Sequence, residues 1–380
     1  MANVDVSLNS VVQQFESLPD PRHTRNRRHL LGDVLVISVC GVIVGCAGPA
    51  SIQRWAKAKE DWLRQVLALP NGIPSRDCIR RILSALKPEA FQTCFQSWIA
   101  ACLTREDGDA GPTIAIDGKT ARRSHDRKNG LGPLHLVSAW ASEHSLTLGQ
   151  VATEQKSNEI TAIPELIDQI DVKGAVVTID AMGCQKNIAA KIVAQKGDYV
   201  LAVKDNQPKL HEAIQGVFSD ERQDELLGMP HRQHEAHDTG HGRSDERHYV
   251  LVKISEDFPL RKEWPSVRAV GMAVRTTVDG DGNTSGDVRY FIASRFLSGK
   301  RFAQAVRGHW GIENSLHWVM DVTFDEDQNR TRDRHMAGNL SWLRRFAISL
   351  LKRHPSKHSI KGKSQIAGWN NEFLMEVLAI

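Results

Sequence analysis

Three acids in this chain stand out by what surrounds them. Asp117 and Asp180 each close a short, strongly apolar run, Thr113 to Ile116 and Ala175 to Ile179. Glu313 sits within Arg307 to Asp327, RGHWGIENSLHWVMDVTFDED, with His309 one helical turn before it and His317 one turn after. If the two apolar runs are neighbouring strands, both aspartates emerge on one edge of a sheet. Carboxylates crowded in that way repel unless a cation joins them. Hard oxygen donors with open positions suit Mg²⁺, which completes its octahedron with water and phosphate. Two such ions about 4 Å apart can activate an attacking oxygen and stabilise a leaving one. The same residues also allow structural readings. Either aspartate could be a turn residue or a helix cap, and the Glu313 stretch a buried helix end with hydrogen-bonded histidines. His309, Glu313 and His317 together would suit a histidine-ligated metallohydrolase. Asp321, Asp325, Glu326 and Asp327 are rival third acids, although only Glu313 lies inside the helical periodicity.

The elements that must position these acids follow from periodicity. Ile312, Leu316 and Val319 form the apolar stripe of a helix lying on a sheet. Leu134 to Ser142 and Leu146 to Thr153 read as strands joined by a tight turn near Glu143. Asn158 to Ile170 reads as a helix, Ile188 to Gln195 as another, Asp198 to Lys204 as a strand and Gln207 to Phe218 as a helix. That is an α/β order with a mixed sheet. Before it the chain reads as helical. Val11 to Leu18 is a short helix stopped by Pro19 and Pro21, and Val34 to Ala47, fourteen apolar residues, is too short to cross a bilayer and reads as a core helix. Ser51 to Leu69 is amphipathic. Ser75 caps RDCIRRILSAL, whose apolar face is Cys78, Ile79, Ile82, Leu83 and Leu86. Arg76, Arg80, Ser84 and Lys87 lie opposite, so the pair of helices resembles a helix-turn-helix or is simply amphipathic. A further helix over Pro88 to Thr104 ends at the polar EDGDAGP, a domain boundary.

Charge is unevenly spread. Of the formal net +4, residues 330–380 carry +7 and residues 1–106 carry +4, which leaves −7 in the middle. An acidic centre between basic ends suits a metal-using site flanked by polyanion-binding surfaces, or else marks solvated faces. The six cysteines form no CxxC pair and read as buried thiols of a cytoplasmic protein. The first residues lack the basic start and apolar core of a signal peptide, and no membrane partner is expected.

AIDGKTARRS, TIDAMGCQ and RGHWGIENSLHWVMDVTFDED, in this order, resemble the three catalytic blocks of DDE transposases, most closely the H-repeat-associated group of bacterial insertion-sequence enzymes. The resemblance covers nearly the whole chain. It implies an α/β fold: an RNase H-like mixed-sheet catalytic core with a β-rich insertion, preceded by an all-α N-terminal region. The expected divisions are a helical DNA-binding region over 1–106, the core over 112–334 with its insertion at approximately 220–298, and a basic helical region over 335–380. Asp117, Asp180 and Glu313 match the first, second and third acids, 62 and then 132 residues apart. The longer gap holds candidate strands at Arg243 to Ile254, Val267 to Val278 and Asp287 to Ser294, with a hairpin turn at Asp279 to Asn283. Related enzymes often carry Tyr, Arg and Lys seven before, four before and seven after the glutamate. Here those positions hold Val306, His309 and Met320, so their DNA contacts must come from elsewhere, with Arg307, His309 and His317 as candidates.

The expected partner is double-stranded DNA, both element ends and target, held by a homodimer. The expected cofactor is a pair of Mg²⁺ ions, with Mn²⁺ as a possible substitute. Lys119, Arg122 and Arg123 follow the first aspartate where a phosphodiester would lie, with a solvated loop as the alternative. Arg330, Arg332 and Arg334 alternate in a way that suits a phosphate backbone, and the arm containing Arg22, Arg25, Arg27 and Arg28 is either a phosphate contact or a solvated loop. His231, His234, His237 and His241 crowd an expected loop, with a DNA-facing role and Arg243 on phosphate preferred over a zinc site. Lys156 and Glu159 follow the third strand, Glu159 as a helix-start carboxylate or an accessory group near the metals. The activity so implied is metal-dependent cleavage of element ends and strand transfer. A DNA-binding protein with a decayed centre and the metallohydrolase are the alternatives.

Overall fold

The computed structural model describes residues 15, 18–102, 111–153, 158–219, 228–240 and 242–379. Most of the Val11 to Leu18 helix, the polar stretch after Thr104, Lys156, the start of the insertion and His241 lie outside them.

The N-terminal region is helical: α1 (Leu31–Ile43), α2 (Pro49–Ala58), α3 (Glu60–Val66), α4 (Arg76–Ala85), α5 (Pro88–Thr93) and α6 (Gln96–Cys102). Helix α1 is buried along nearly its whole length, as its apolar run dictates. Its Asp33 carboxylate accepts from the Leu69 N–H at 2.9 Å, which ties down the chain between α3 and α4. Ser75 caps α4 through the Cys78 N–H, and Ile79, Ile82 and Leu83 face inward.

The core sheet begins with three antiparallel strands, β1 (Thr113–Ala121), β2 (Leu134–Ala141) and β3 (Leu146–Thr153). Helix α7 (Glu159–Gln169) leads to β4 (Val176–Ile179), α8 (Lys186–Ala194) to β5 (Asp198–Val203), and α9 (Pro208–Val217) follows. Strands β4 and β5 run parallel to β1. The insertion supplies β6 (His231–Gly240), β7 (Arg243–Lys253), β8 (Ala269–Val278) and β9 (Thr284–Ala293). They extend the core sheet instead of forming a separate body, because β9 pairs antiparallel with β5. Among the described residues the sheet has nine strands, in the order β3-β2-β1-β4-β5-β9-β8-β7-β6. The histidine-rich segment is therefore the edge strand β6 and not a loop. The Asp279 to Asn283 turn closes the β8–β9 hairpin, with Asp279 accepting from the Asp281 and Asn283 N–H groups.

Helix α10 (Gly299–Ile312) crosses β1 and β4, and a π turn over Glu313–His317 continues it into α11 (Trp318–Val322). The last helices are α12 (Arg334–Arg353), α13 (Ile360–Trp369) and α14 (Asn371–Leu378). Helix α12 is buried from Ala337 to Leu351 and packs on both the sheet and the N-terminal helices. Its Asn339 side chain donates to the Leu83 and Leu86 carbonyls at 2.8 and 3.0 Å, satisfying groups left open at the end of α4. Both ends of the chain thus share one hydrophobic core with the sheet. Among the described residues no helix is long and apolar enough to cross a membrane.

Candidate active site

The register of β1 on β4 positions two acids. Ile116 is the partner of Ile179, so Asp117 and Asp180 follow at the same level on neighbouring strands, a spacing of about 4.8 Å. Asp180 lies just past β4, as expected. Asp117, expected past the end of its strand, lies within it, because β1 stays paired to β2 as far as Ala121 and Asp117 stands opposite Ser138.

Glu313 comes from the helix across the sheet. There the α-helix gives way to the π turn, in which the Trp318 N–H donates to the Glu313 carbonyl. Such turns hold one extra residue and recur at functional sites. Ile312, Leu316 and Val319 are buried as the stripe required, while Glu313 is exposed. Asp180 and Glu313 line one cleft of about 510 Å³, together with His309, Trp310, Arg289 and Tyr290. The Asp117 carboxyl is pushed up to about 7. Burial is the main cause, opposed by the Gly118 N–H that donates to it at 2.8 Å and reinforced by the negative charges of Asp180, Glu159 and Glu313. The acids therefore share one field. More carboxylate charge than a buried site tolerates, all of it on hard oxygens, fits a divalent cation. Among the described residues no three His, Cys, Asp or Glu side chains are drawn up as a ready ligand shell.

The two histidines are engaged on either side of Glu313. His309 Nδ1 is 3.4 Å from the Thr178 hydroxyl, and burial lowers this ring to about 4. His317 Nδ1 is 3.4 Å from Asp117 Oδ2, and burial holds this ring well below the usual histidine range. Both are neutral near pH 7, so neither offers phosphate a cation; His309 meets Thr178 and His317 meets Asp117. Lys119 also departs from expectation. Its ammonium is buried, 2.7 Å from Asp321, 3.5 Å from Asp327 and 3.9 Å from Glu326. That accounts for three of the rival acids.

The remaining basic candidates are distributed as follows. Arg122 is exposed with Nε 3.2 Å from Asp327, and Arg123 is exposed beside it. Arg76 and Arg80 are exposed on α4. Arg243 is exposed at the start of β7, and Arg307 is half exposed, 2.9 Å from Asp238. Arg330 and Arg332 are exposed, while Arg334 donates to the Gly132 carbonyl at 2.5 Å.

Glu159 opens α7, as one of its two readings had it, and its charge acts on Asp117, but its pairing with His135 and the role of Arg345 were not legible beforehand. His135 and Glu159, both buried, are 2.7 Å apart, and the other ring nitrogen of His135 is 2.7 Å from the Thr120 hydroxyl. A Cβ on Gly118 would come within 2.3 Å of Glu159 and 2.5 Å of His135, so glycine is what lets this pair lie against the strand beside Asp117. The signal was a histidine within the apolar run LHLVSAW. The second feature is Arg345, fully buried with Nε donating to Ser138 at 3.0 Å. Its signal was a position three residues after Trp342, on the inward stripe of α12.

Crowding at Asp117 has a measurable consequence. Between its ordinary value of 3.8 and about 7, the native carboxyl keeps a proton that the unfolded chain has lost. Stability therefore falls as pH rises through that window and then levels. Asp117→Asn should leave metal-free stability unchanged near pH 4 and raise it above pH 7, by ~4 kcal/mol at most. Denaturant unfolding at the two pH values measures this, and equal stabilities at pH 8 would show that burial and its acidic neighbours do not raise the Asp117 carboxyl.

Acids on two neighbouring strands of a mixed sheet, with a third on the helix across them, define an RNase H-like core of the DDE type. Residues 108–351 match the family described as Transposase DDE domain, and residues 12–99 the one described as DDE_Tnp_1-associated. The chain belongs to the H-repeat-associated DDE transposases. It is 36% identical over 379 residues to the H repeat-associated putative transposase YhhI of Escherichia coli (strain K12), covering 98% of this chain and 99% of that one. It is 37% identical over 383 residues to the putative transposase YncI of Escherichia coli O157:H7, covering 98% and 95%. Among solved structures, a chain of the piggyBac transposase synaptic complex with hairpin DNA is similar at a TM-score of 0.41 and 12% identity, over 100% of this chain and 80% of that one. So slight a likeness carries no argument.

Proposed function

We propose that this chain cuts the ends of an insertion sequence and joins them to target DNA in a metal-dependent reaction. One observation carries the reading: Asp117 and Asp180 stand level on neighbouring strands, and Asp180 and Glu313 line a single cleft. In the first step a water oxygen bonds to the phosphorus and the 3′ oxygen leaves, taking up a proton as a 3′-hydroxyl. In the second, that hydroxyl bonds to a target phosphorus, loses its proton and displaces the target's own 3′ oxygen. One phosphodiester replaces another and no bond to the protein forms.

Asp117, Asp180 and Glu313 would hold two Mg²⁺ ions, with Mn²⁺ as a substitute. Bound there, the ions supply positive charge to the attacking and leaving oxygens. The chain's own residues set the geometry. His317, neutral, lies against Asp117; His309 seats α10 on β4; Arg122 and Arg123, exposed just past the end of β1, would meet phosphate. The DNA is double-stranded, and a homodimer would bring one chain to each element end.

A supercoiled plasmid carrying the gene and its flanking DNA tests the reading. Nicking in Mg²⁺ that stops on chelation is expected. Binding without nicking would leave the alternative, a DNA-binding member of the family with a decayed centre.

The basic surfaces give a separate expectation. Replacing Arg76 and Arg80 by Gln, or Arg330, Arg332 and Arg334 by Gln, should weaken DNA binding and flatten its salt dependence by about 0.9 in slope per lost phosphate contact. If α4 reads sequence, only the first pair should also reduce discrimination between element ends and random duplex. Titrations over a range of salt would show unaltered affinity in both sets if these surfaces do not meet DNA.

A further inference from the structure

We propose that Lys119 is a positioning residue, whose buried ammonium fastens the strand carrying Asp117 to the helix carrying Glu313 and does not touch DNA. Its placement argues this on three grounds. First, three carboxylates from α11 and the segment after it already surround it, at 2.7, 3.5 and 3.9 Å. A DNA phosphate would have to displace them, and separating a buried ion pair leaves an uncompensated charge.

Second, the spacings match. His317 meets Asp117, and Asp321 meets Lys119. Four residues along a helix rise about 6 Å. Two residues along a strand, on the same face, span about 6.7 Å. The helix leaving Glu313 is thus held against β1 at two successive points. The upper contact, between His317 and Asp117, is the longer at 3.4 Å. The lower one is a close ion pair.

Third, the ion pairs close a loop behind the site. Glu326, buried, accepts from the Ser341 hydroxyl at 2.5 Å and lies 3.6 Å from Arg345. Arg345 donates to Ser138, the residue paired with Asp117 on β2. Lys119 is where this loop returns to β1. Removing it frees the end of the helix that carries Glu313, without changing the surface presented to DNA.

The test uses full-length Lys119→Met. Three quantities are read: affinity for duplex from the gene's flanking DNA over a range of salt, single-turnover cleavage of that DNA at saturating protein in Mg²⁺, and hydrogen exchange of the Trp318 to Val322 amides without DNA or metal. Affinity and salt slope should stay as in the wild type. Cleavage per folded molecule should fall 10- to 100-fold, the range typical of groups that orient a site. Exchange over α11 should accelerate about tenfold, since local opening governs it. A salt slope reduced by about one, with exchange unaltered, would overturn the proposal and make Lys119 a phosphate contact. A lower melting temperature with cleavage per folded molecule unchanged would also overturn it, as a purely structural role. If Lys119→Met does not fold, Asp321→Asn removes the closest partner alone. Faster exchange over α11 is then expected, and unaltered exchange rejects the proposal. The cleavage arm rests on the proposed function. If the wild type itself does not cut, that reading fails, while the salt and exchange arms still decide the role of Lys119.

Discussion

Asp117→Asn, Asp180→Asn and Glu313→Gln should each reduce strand cleavage and joining by at least ~10³-fold, beyond the 10- to 100-fold typical of groups that only orient a metal site. Each substitution keeps the size of the side chain and removes one negative oxygen donor. Two ions cannot be held in line with a phosphate when one of three carboxylates is gone. DNA binding should survive in all three variants, and tighten slightly, because each change removes repulsion between carboxylate and phosphate. Cleavage of flanking-DNA duplex and its binding, measured on the same preparations, separate the two effects. His309→Ala and His317→Ala are the controls. Both rings are neutral and touch Thr178 and Asp117, so these variants should retain residual cleavage. Dead histidine variants beside an active Asp117→Asn would reject the three-acid site and favour a histidine-ligated metal.

Arg345→Met should destabilise the fold by about 3–5 kcal/mol, the usual result of removing one partner from a buried ion pair. Arg345 is fully buried, bonded to Ser138 and Ser341, and 3.6 Å from Glu326. Without it, among the described residues buried Glu326 keeps the Ser341 hydroxyl and, as cations, Arg344 and Lys119, each at 3.9 Å. Adding Glu326→Gln should recover part of the loss, since the orphaned charge is then gone. Denaturant melts of the two single variants and the double variant measure the coupling. A single-variant cost below ~1 kcal/mol, the level of an exposed pair, would show that water reaches the network.

The acids were legible because their neighbours are regular. A four-residue apolar run before Asp117 or Asp180 and an apolar stripe around Glu313 leave little choice of element. The strand past Asp117 was not legible, because Gly118, Lys119 and Thr120 look like a turn. Glycine leaves room for the Glu159 side chain from α7, and the lysine meets carboxylates some two hundred residues later. Strand β6 was missed because it is a largely exposed edge strand, polar on both faces, so HRQHEAHDTG carries no alternation. Lys119 shows the general difficulty. Composition marks a long basic side chain as a candidate for DNA, but its direction depends on which acids the fold brings near.

The pairing of β9 with β5 makes the insertion part of the same hydrogen-bonded ladder as the acids. Through the register of the sheet, Ile179 at the end of β4 stands level with Val252 of β7, so Asp180, one residue on, is level with Leu251, eight residues from Arg243 and four strand spacings away. At about 4.8 Å per spacing and about 3.3 Å per residue, the offsets of ~19 Å across the sheet and ~26 Å along it combine to ~33 Å. Duplex DNA rises 3.4 Å per base pair on each strand, so that distance matches about ten base pairs. A flexibly tethered insertion would let DNA slide relative to the scissile phosphate. A continuous sheet cannot stretch along its ladder, so under the proposed function it would work as a ruler: a duplex touching Arg243 at one end would be cut at a set number of base pairs from that contact.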